Sequence, residues 1–75
     1  MSSFVICINN DGNHESLIVG KVYRKLDDKQ AEVYKMVRVI DEDKSEADGY
    51  LYPASMFEKV ELPKTAQRVI TAGAK

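Results

Sequence analysis

Residues 49–62 constrain the fold of this chain most, because a proline separates two strand-like runs by only a few residues. Residues 50–52, two tyrosines around a leucine, favour a short strand, since aromatic side chains suit a pleated, half-buried surface. Pro53 ends the hydrogen-bonded ladder because it has no N–H to donate. Residues 54–57 suffice for one 3₁₀ turn, and the alternation over 58–62 predicts another strand. The segment therefore predicts a strand, a single tight turn and a last strand.

Three further strand-like segments precede this motif. The first is apolar on both faces and stops before Gly12, where an Asp-Gly pair predicts a tight turn. The second contains Gly20, which predicts a sharp bend within one strand. Residues 27–34 suit either a loop or one helical turn, and the polar run 41–49 predicts a hairpin loop. We expect five strands, near residues 3–9, 17–26, 35–41, 49–53 and 58–62.

The length of the chain, 75 residues, supports a single core and therefore one domain. Folding buries roughly 60–65% of the surface of a chain this short, so most apolar side chains are needed for the core. We place the domain at residues 1–62. Residues 63–75 lose the alternation of the strands, and we expect a frayed or weakly helical C-terminal tail there. In the last two strands, the predicted core residues are Leu51, Phe57, Val60 and Leu62.

The charge balance disfavours nucleic acid as a partner. Eleven basic and twelve acidic side chains leave a net charge of −1, so no overall positive field attracts a phosphate backbone. The single cysteine, Cys7, cannot form an internal disulfide, which favours a reducing compartment. No apolar run approaches the ~20 residues that cross a bilayer, and the N-terminus lacks a signal-peptide pattern. We therefore expect a cytoplasmic protein with no membrane partner.

The acidic loop contains the start of a calcium-binding pattern, since Asp41, Asp43 and Ser45 have its one-three-five spacing. The later positions do not match. Glu46 stands where the pattern needs glycine, and Tyr52 stands where it needs a bidentate glutamate. A solvated hairpin loop is the favoured interpretation, and we predict no metal site.

Cys7 and His14 are the only thiol and imidazole in the chain, and nucleophilic catalysis would require them to meet. Cys7 lies in the most apolar run, where a buried thiol behaves as a small hydrophobe, whereas His14 follows an exposed turn. The sequence has no glycine-rich phosphate motif and no His or Cys cluster with metal-ligand spacing. These features predict a protein that is not an enzyme and needs no cofactor.

The aromatic side chains could line a groove for a proline-rich peptide or a cage for a methylated lysine. A domain of this size also needs large side chains for its core, and alternate tyrosines can cover one face while their hydroxyls stay hydrated. A core role for these side chains is favoured, and a ligand-binding groove is kept as the alternative. The five aromatic residues concerned are Tyr23, Tyr34, Tyr50, Tyr52 and Phe57.

The order of these segments resembles the Src homology 3 domain pattern over residues 4–62. The apolar-Gly-Lys-apolar step within 18–23 is similar to the start of that family's second strand, and residues 50–57 are similar to its strand-Pro-turn segment. The chain also resembles a group of small uncharacterised bacterial proteins with a similar Tyr-Leu-Tyr-Pro segment. The resemblance implies an all-β fold, a small five-stranded, partly open barrel with a short 3₁₀ turn before the last strand.

Transferred residue by residue, the resemblance gives Pro53 the position of the family's groove proline, while Met56 stands at the position of its groove tyrosine. The chain has no tryptophan to mark such a groove. The predicted ligand-binding residues are Tyr50, Tyr52, Pro53 and Met56. The expected role is a non-catalytic protein-interaction or regulatory module with a protein or peptide partner. The alternative is single-stranded nucleic-acid binding through exposed aromatics and the basic residues of the tail, Lys64, Arg68 and Lys75.

Overall fold

Five short strands form one antiparallel sheet in the computed structural model, which describes residues 3–73. The strands are β1 (Ser3–Cys7), β2 (Val22–Leu26), β3 (Met36–Ile40), β4 (Tyr50–Pro53) and β5 (Phe57–Val60). The first four strands pair in chain order, and β5 returns to pair with β1, which gives the order β4-β3-β2-β1-β5. β4 and β5 are edge strands, so the sheet is not closed. The predicted all-β class is confirmed.

Three helical segments accompany the sheet. They are α1 (Lys29–Val33), a 3₁₀ helix (Ala54–Met56) and α2 (Lys64–Gly73). α1 begins after Asp28, whose carboxylate caps the helix by accepting a hydrogen bond from the Ala31 N–H at 3.0 Å. The 3₁₀ helix directly follows Pro53, where the sequence predicts a single turn. It joins the two edge strands of the sheet.

The predicted bent strand over residues 17–26 is wrong in its first half, because β2 begins only at Val22. The Lys21 N–H donates to the Ile18 carbonyl at 3.1 Å, and Gly20 has a φ of 88°, so the backbone closes a turn here. Gly20 therefore ends a loop and does not bend a strand. Leu17 nevertheless belongs to the core, since its side chain is fully buried beneath this loop.

The core lies on one face of the sheet, where alternate strand residues point inward. The register places Val5 opposite Tyr23 and Val37 opposite Tyr52, so these four side chains share a face. The rings of Tyr52 and Phe57 meet edge to face, with their centroids 6.0 Å apart. The buried cluster consists of Val5, Cys7, Leu17, Tyr23, Val37, Val39, Tyr52, Met56 and Phe57.

Of the core residues predicted for the last two strands, Phe57 is buried and Leu51 is not. Leu51 is 45% exposed, because the alternation that turns Tyr52 into the core turns Leu51 to the other face. Val60 and Leu62 are half-buried. The prediction was wrong for Leu51, since an apolar residue between two tyrosines could belong to either face.

The face of the sheet opposite the core is partly covered by α2. Phe4 and Ile40 are buried on this face, and the register places Arg24 between them. The segment predicted as a frayed or weakly helical tail contains a ten-residue helix that packs against β2. Its inward positions recur at helical spacing, which explains why the strand alternation stops after Leu62. The half-buried residues of α2 are Ala66, Gln67 and Ile70.

Gly49 lies where the hairpin loop 41–49 approaches β3 most closely. Its φ is 65°, in the left-handed region that favours glycine. A Cβ atom at this position would lie 2.8 Å from the carbonyl carbon of Val39, which is backbone and fully buried. Gly12 also has a positive φ, 78°, but a Cβ there would meet no atom within 4 Å. The two glycines therefore share a positive φ and differ in the space that is available for a Cβ atom.

We expect Gly49→Ala to lower the free energy of unfolding by about 3 kcal/mol or more, since backbone strain adds to the collision with Val39. Gly12→Ala is the matched control and should cost about 1–2 kcal/mol, the strain alone. Urea unfolding of both variants measures the difference. Equal losses would show that the close approach to β3 contributes nothing to stability.

Candidate functional site

The four predicted ligand-binding residues do not form one surface. Tyr52 and Met56 are buried in the core, whereas Tyr50 and Pro53 are exposed. The division follows from the geometry of β4, because Tyr52 points toward the core and the 3₁₀ helix then directs Met56 inward as well. A groove lined by all four residues is therefore absent from this structure.

A buried carboxylate holds Tyr52 in the core. Asp41 is only 1% exposed and accepts a hydrogen bond from the Tyr52 hydroxyl. Its other oxygen accepts the Asp43 N–H at 2.9 Å. Burial, with the hydrogen bond to Asp41, raises the pKa of Tyr52 to about 12. Tyr52 thus supplies a donor to a carboxyl group that would otherwise be costly to bury, which is a structural role.

The two residues after Asp41 also accept hydrogen bonds from tyrosines. Glu42 accepts the Tyr23 hydroxyl at 2.5 Å and the Lys21 ammonium at 2.6 Å. These donors lower the pKa of Glu42, and burial together with Glu42 raises that of Tyr23. Asp43 accepts the Tyr50 hydroxyl at 3.0 Å, which raises the pKa of Tyr50. Three consecutive carboxylates therefore tie the acidic loop to tyrosines of β2 and β4.

The residues of the calcium-like pattern are engaged with one another. Asp43 accepts both the backbone N–H of Ser45, at 3.2 Å, and its hydroxyl, at 2.5 Å. Asp41 faces Tyr52 and the backbone, so its oxygens are already hydrogen-bonded. Within residues 3–73, no group of three or more acidic, His or Cys side chains is arranged to hold a metal ion. The loop is held by local turns and tyrosine hydroxyls.

The cysteine and the histidine lie in different environments. Cys7 is fully buried in the core, where its Sγ donates weakly to the Asn9 carbonyl at 3.4 Å. His14 is exposed in the loop between β1 and β2. The buried thiol and the exposed imidazole thus lie in the different settings that the sequence predicts.

An exposed apolar surface lies beside α1 and β4, and we call it the α1–β4 face. Its members are Tyr34, Met36, Leu51 and Pro53. Tyr34 is 73% exposed, and Leu51 extends the surface onto β4. Two open depressions, of about 360 and 680 Å³, adjoin here and share Tyr34 and Met36 as lining residues. Tyr34 therefore separates two halves of one continuous concave surface.

The turn after α1 positions Tyr34 on this face. Lys35 has a φ of 58°, so the chain reverses sharply after the helix. The Lys35 carbonyl accepts the Ala54 N–H at 2.9 Å, which brings the turn against the start of the 3₁₀ helix and next to Pro53. The N-terminal end of α1 is fixed as well, since its capping residue Asp28 also accepts a hydrogen bond from the Arg38 Nε at 2.9 Å. Backbone and ion-pair contacts thus fix the segment of chain that carries Tyr34.

Sequence reasoning included Tyr34 among five aromatic residues but did not select it as a ligand-binding residue. Its neighbours in the chain suit a loop or a helical turn, and neither reveals that Tyr34 lines one surface with a proline almost twenty residues away. Pro53 is the predicted site residue that the structure places on the α1–β4 face. Tyr34 and Pro53 are linked by the β3–β4 hairpin, whose register pairs Met36 with Pro53. The spacing of residues across this hairpin is the sequence signal that could have linked them.

Comparison with known proteins found no matching family model, no matching curated protein and no matching solved structure. Among the helices of residues 3–73, none combines the length and apolar character required to cross a membrane. The surface described above is therefore interpreted from its own geometry.

We expect Tyr52→Phe to lower the free energy of unfolding by about 1–3 kcal/mol, because it leaves one oxygen of the buried Asp41 carboxylate without its donor. Tyr50→Phe is the matched control, since it removes the same hydroxyl from an exposed tyrosine–carboxylate pair, and it should change stability little. Chemical denaturation of both variants tests the difference. If the two substitutions cost the same, burial of Asp41 does not depend on Tyr52.

The hydrogen bonds of Glu42 predict that the stability of the fold is sensitive to acid. The pKa of Glu42 is lower in the folded protein than its ordinary value of 4.5. The contribution of Glu42 to stability is therefore complete above that pH and is lost as the pH falls through the folded pKa. We expect Glu42→Gln to remove about 0.5–1 kcal/mol of this acid dependence, since the pair is partly hydrated. Unfolding measured from pH 7 to pH 3 tests it, with the exposed Glu46→Gln as control. The same acid dependence in both variants would contradict the assignment.

Proposed function

We propose that this protein is a non-catalytic interaction module that binds an apolar segment of a partner protein on the α1–β4 face. The single observation that carries the proposal is the exposed Tyr34 ring, which lines two adjoining depressions, one of them together with Pro53. A small domain needs most of its large apolar side chains in the core. Leaving Tyr34 and Leu51 exposed on one open surface is typical of a binding surface.

Side chains, more than backbone pairing, would recognise the partner. The Ala54-to-Lys35 hydrogen bond and the register of β3 with β4 direct the amides of Tyr50 and Tyr52 toward β3. Only the Leu51 N–H of β4 then points to the open edge, because Pro53 has none. An added strand would find a single donor there. The partner segment is therefore expected to insert apolar or proline side chains on either side of Tyr34.

We also propose that the sheet is a partly open barrel of the Src homology 3 type. The strand order and the 3₁₀ helix before the last strand support this proposal. In that family's frame, the α1–β4 face would lie between the loop after the second strand and the strand-Pro-turn segment. The location in a bacterial cytoplasm stays a prediction from the sequence resemblance and the lone cysteine.

Single-stranded nucleic-acid binding is the less supported function. Tyr50 donates its hydroxyl to Asp43, and the acidic loop surrounds it with negative charge. Such a neighbourhood repels a phosphate backbone. The basic residues described in α2 lie on the helix that packs against β2, and not among the aromatics of the α1–β4 face.

Selection of peptides from a random display library tests the proposed surface. The native protein should enrich sequences rich in apolar residues or proline. Tyr34→Ala should weaken the selected peptides by about tenfold or more, as expected for an aromatic anchor at the centre of an interface. Binding is measured by fluorescence anisotropy with labelled peptides.

Val69→Ala is the matched control, since Val69 is an exposed apolar residue of α2, away from the α1–β4 face. It should leave peptide affinity unchanged. The proposal is wrong if no peptide is enriched, or if Tyr34→Ala and Val69→Ala weaken binding equally. Tyr52→Ala is unsuitable as a binding test, because Tyr52 belongs to the core.

A further inference from the structure

A small cavity lies between α2 and β2, on the side of the sheet opposite the core. Its volume is about 170 Å³. The apolar part of its lining comes from Val22, Ile40 and Ile70, which belong to β2, β3 and α2. Three cationic residues, Lys21, Arg24 and Lys44, line the same cavity. The lining thus combines an apolar wall with positive charge, in a chain whose net charge is −1.

Arg24 is the central residue of this cavity. It lies in the middle of β2, with buried Phe4 opposite it in β1 and buried Ile40 opposite it in β3. Its Nε atom is shielded from solvent and has no hydrogen-bond partner among residues 3–73. A guanidinium N–H removed from water without an acceptor is unfavourable. Because the Nε itself is closed to a water-sized sphere, an acceptor in the cavity would meet the guanidinium at its other N–H groups.

The other cations are arranged differently. The Lys21 ammonium is 2.6 Å from Glu42 and 5.4 Å from the centre of the Tyr23 ring, so it is held by groups of the protein itself. Lys44 is exposed in the acidic loop. Arg24 is therefore the group best placed to bind an anion inside the cavity.

We propose that the α2–β2 cavity binds a small organic carboxylate, with the carboxylate on the Arg24 guanidinium and an apolar group against Val22, Ile40 and Ile70. A cavity of about 150 Å³ accommodates a benzene ring, so the apolar group has about the size of one six-membered ring. Guanidinium and carboxylate form short, charge-assisted hydrogen bonds, which gives the site preference for an acid. This site is distinct from the α1–β4 face and does not depend on the peptide-binding proposal.

Titration with benzoate, followed by two-dimensional amide NMR, tests the proposal. Benzoate should shift the amides of Val22, Arg24, Ile40 and Ile70 in a saturable manner. Benzamide, which has the same ring without the charge, should bind about tenfold or more weakly, as expected for loss of a charged hydrogen bond. Benzylamine, with the opposite charge, should produce no shifts at these residues. Equal binding of benzoate and benzamide, or benzoate shifts elsewhere only, would overturn the proposal.

Variants separate Arg24 from general charge effects. Arg24→Gln should weaken benzoate by about tenfold or more, whereas Lys59→Gln, the same change of charge at an exposed position of β5, should leave its affinity unchanged. Ile70→Ala removes part of the apolar wall from α2 and should weaken benzoate severalfold, which keeps the test decisive if Arg24→Gln does not fold. Unaltered affinity in Ile70→Ala, or equal losses in Arg24→Gln and Lys59→Gln, would contradict the site.

Discussion

The contact between Asp41 and Tyr52 sets the orientation of the β3–β4 hairpin, and the exposed surface depends on it. A carboxylate as buried as Asp41 needs donors, and it receives the Tyr52 hydroxyl and the Asp43 N–H. With Tyr52 directed inward, alternation along β4 directs Leu51 outward. A slip of one residue would reverse both, burying Leu51 and leaving the Asp41 carboxylate without its tyrosine.

Other elements of the chain cover the two faces of the sheet to different extents. The proposed peptide-binding surface and the proposed anion-binding cavity both follow from that difference. One face carries the core cluster, closed by Leu17 from the loop before β2. The other face is covered over β2 by α2, which leaves the cationic cavity beneath Ile70. Beyond α2, the α1–β4 face has no further element of residues 3–73 to cover it. A chain of this length has too few residues to cover both sides of a five-stranded sheet completely.

Prediction from the sequence succeeded where a local rule decided the outcome. Pro53 ends a strand because it lacks an N–H, and the residues after it form a single 3₁₀ turn. Prediction from the sequence was less successful where a residue is compatible with two local backbone structures. Gly20 was interpreted as a bend in a strand, but its positive φ belongs to a turn that precedes β2. Tyr34 and Pro53 become neighbours through the β3–β4 register, which no local pattern encodes.

The sequence by itself determined the all-β class, the turn at Pro53, and the burial of Cys7 and Phe57, because strand alternation and backbone chemistry act over a few residues. Only the tertiary structure decided which tyrosines are core and which are surface. Tyr50 and Tyr52 are equivalent as sequence, since both share one side of β4. Both lie opposite buried valines of β3, Val37 and Val39. They differ because Tyr52 donates to the buried Asp41, whereas Tyr50 donates to Asp43 in the exposed acidic loop. The distinction depends on partners from other strands and loops, and those partners meet only when the sheet forms.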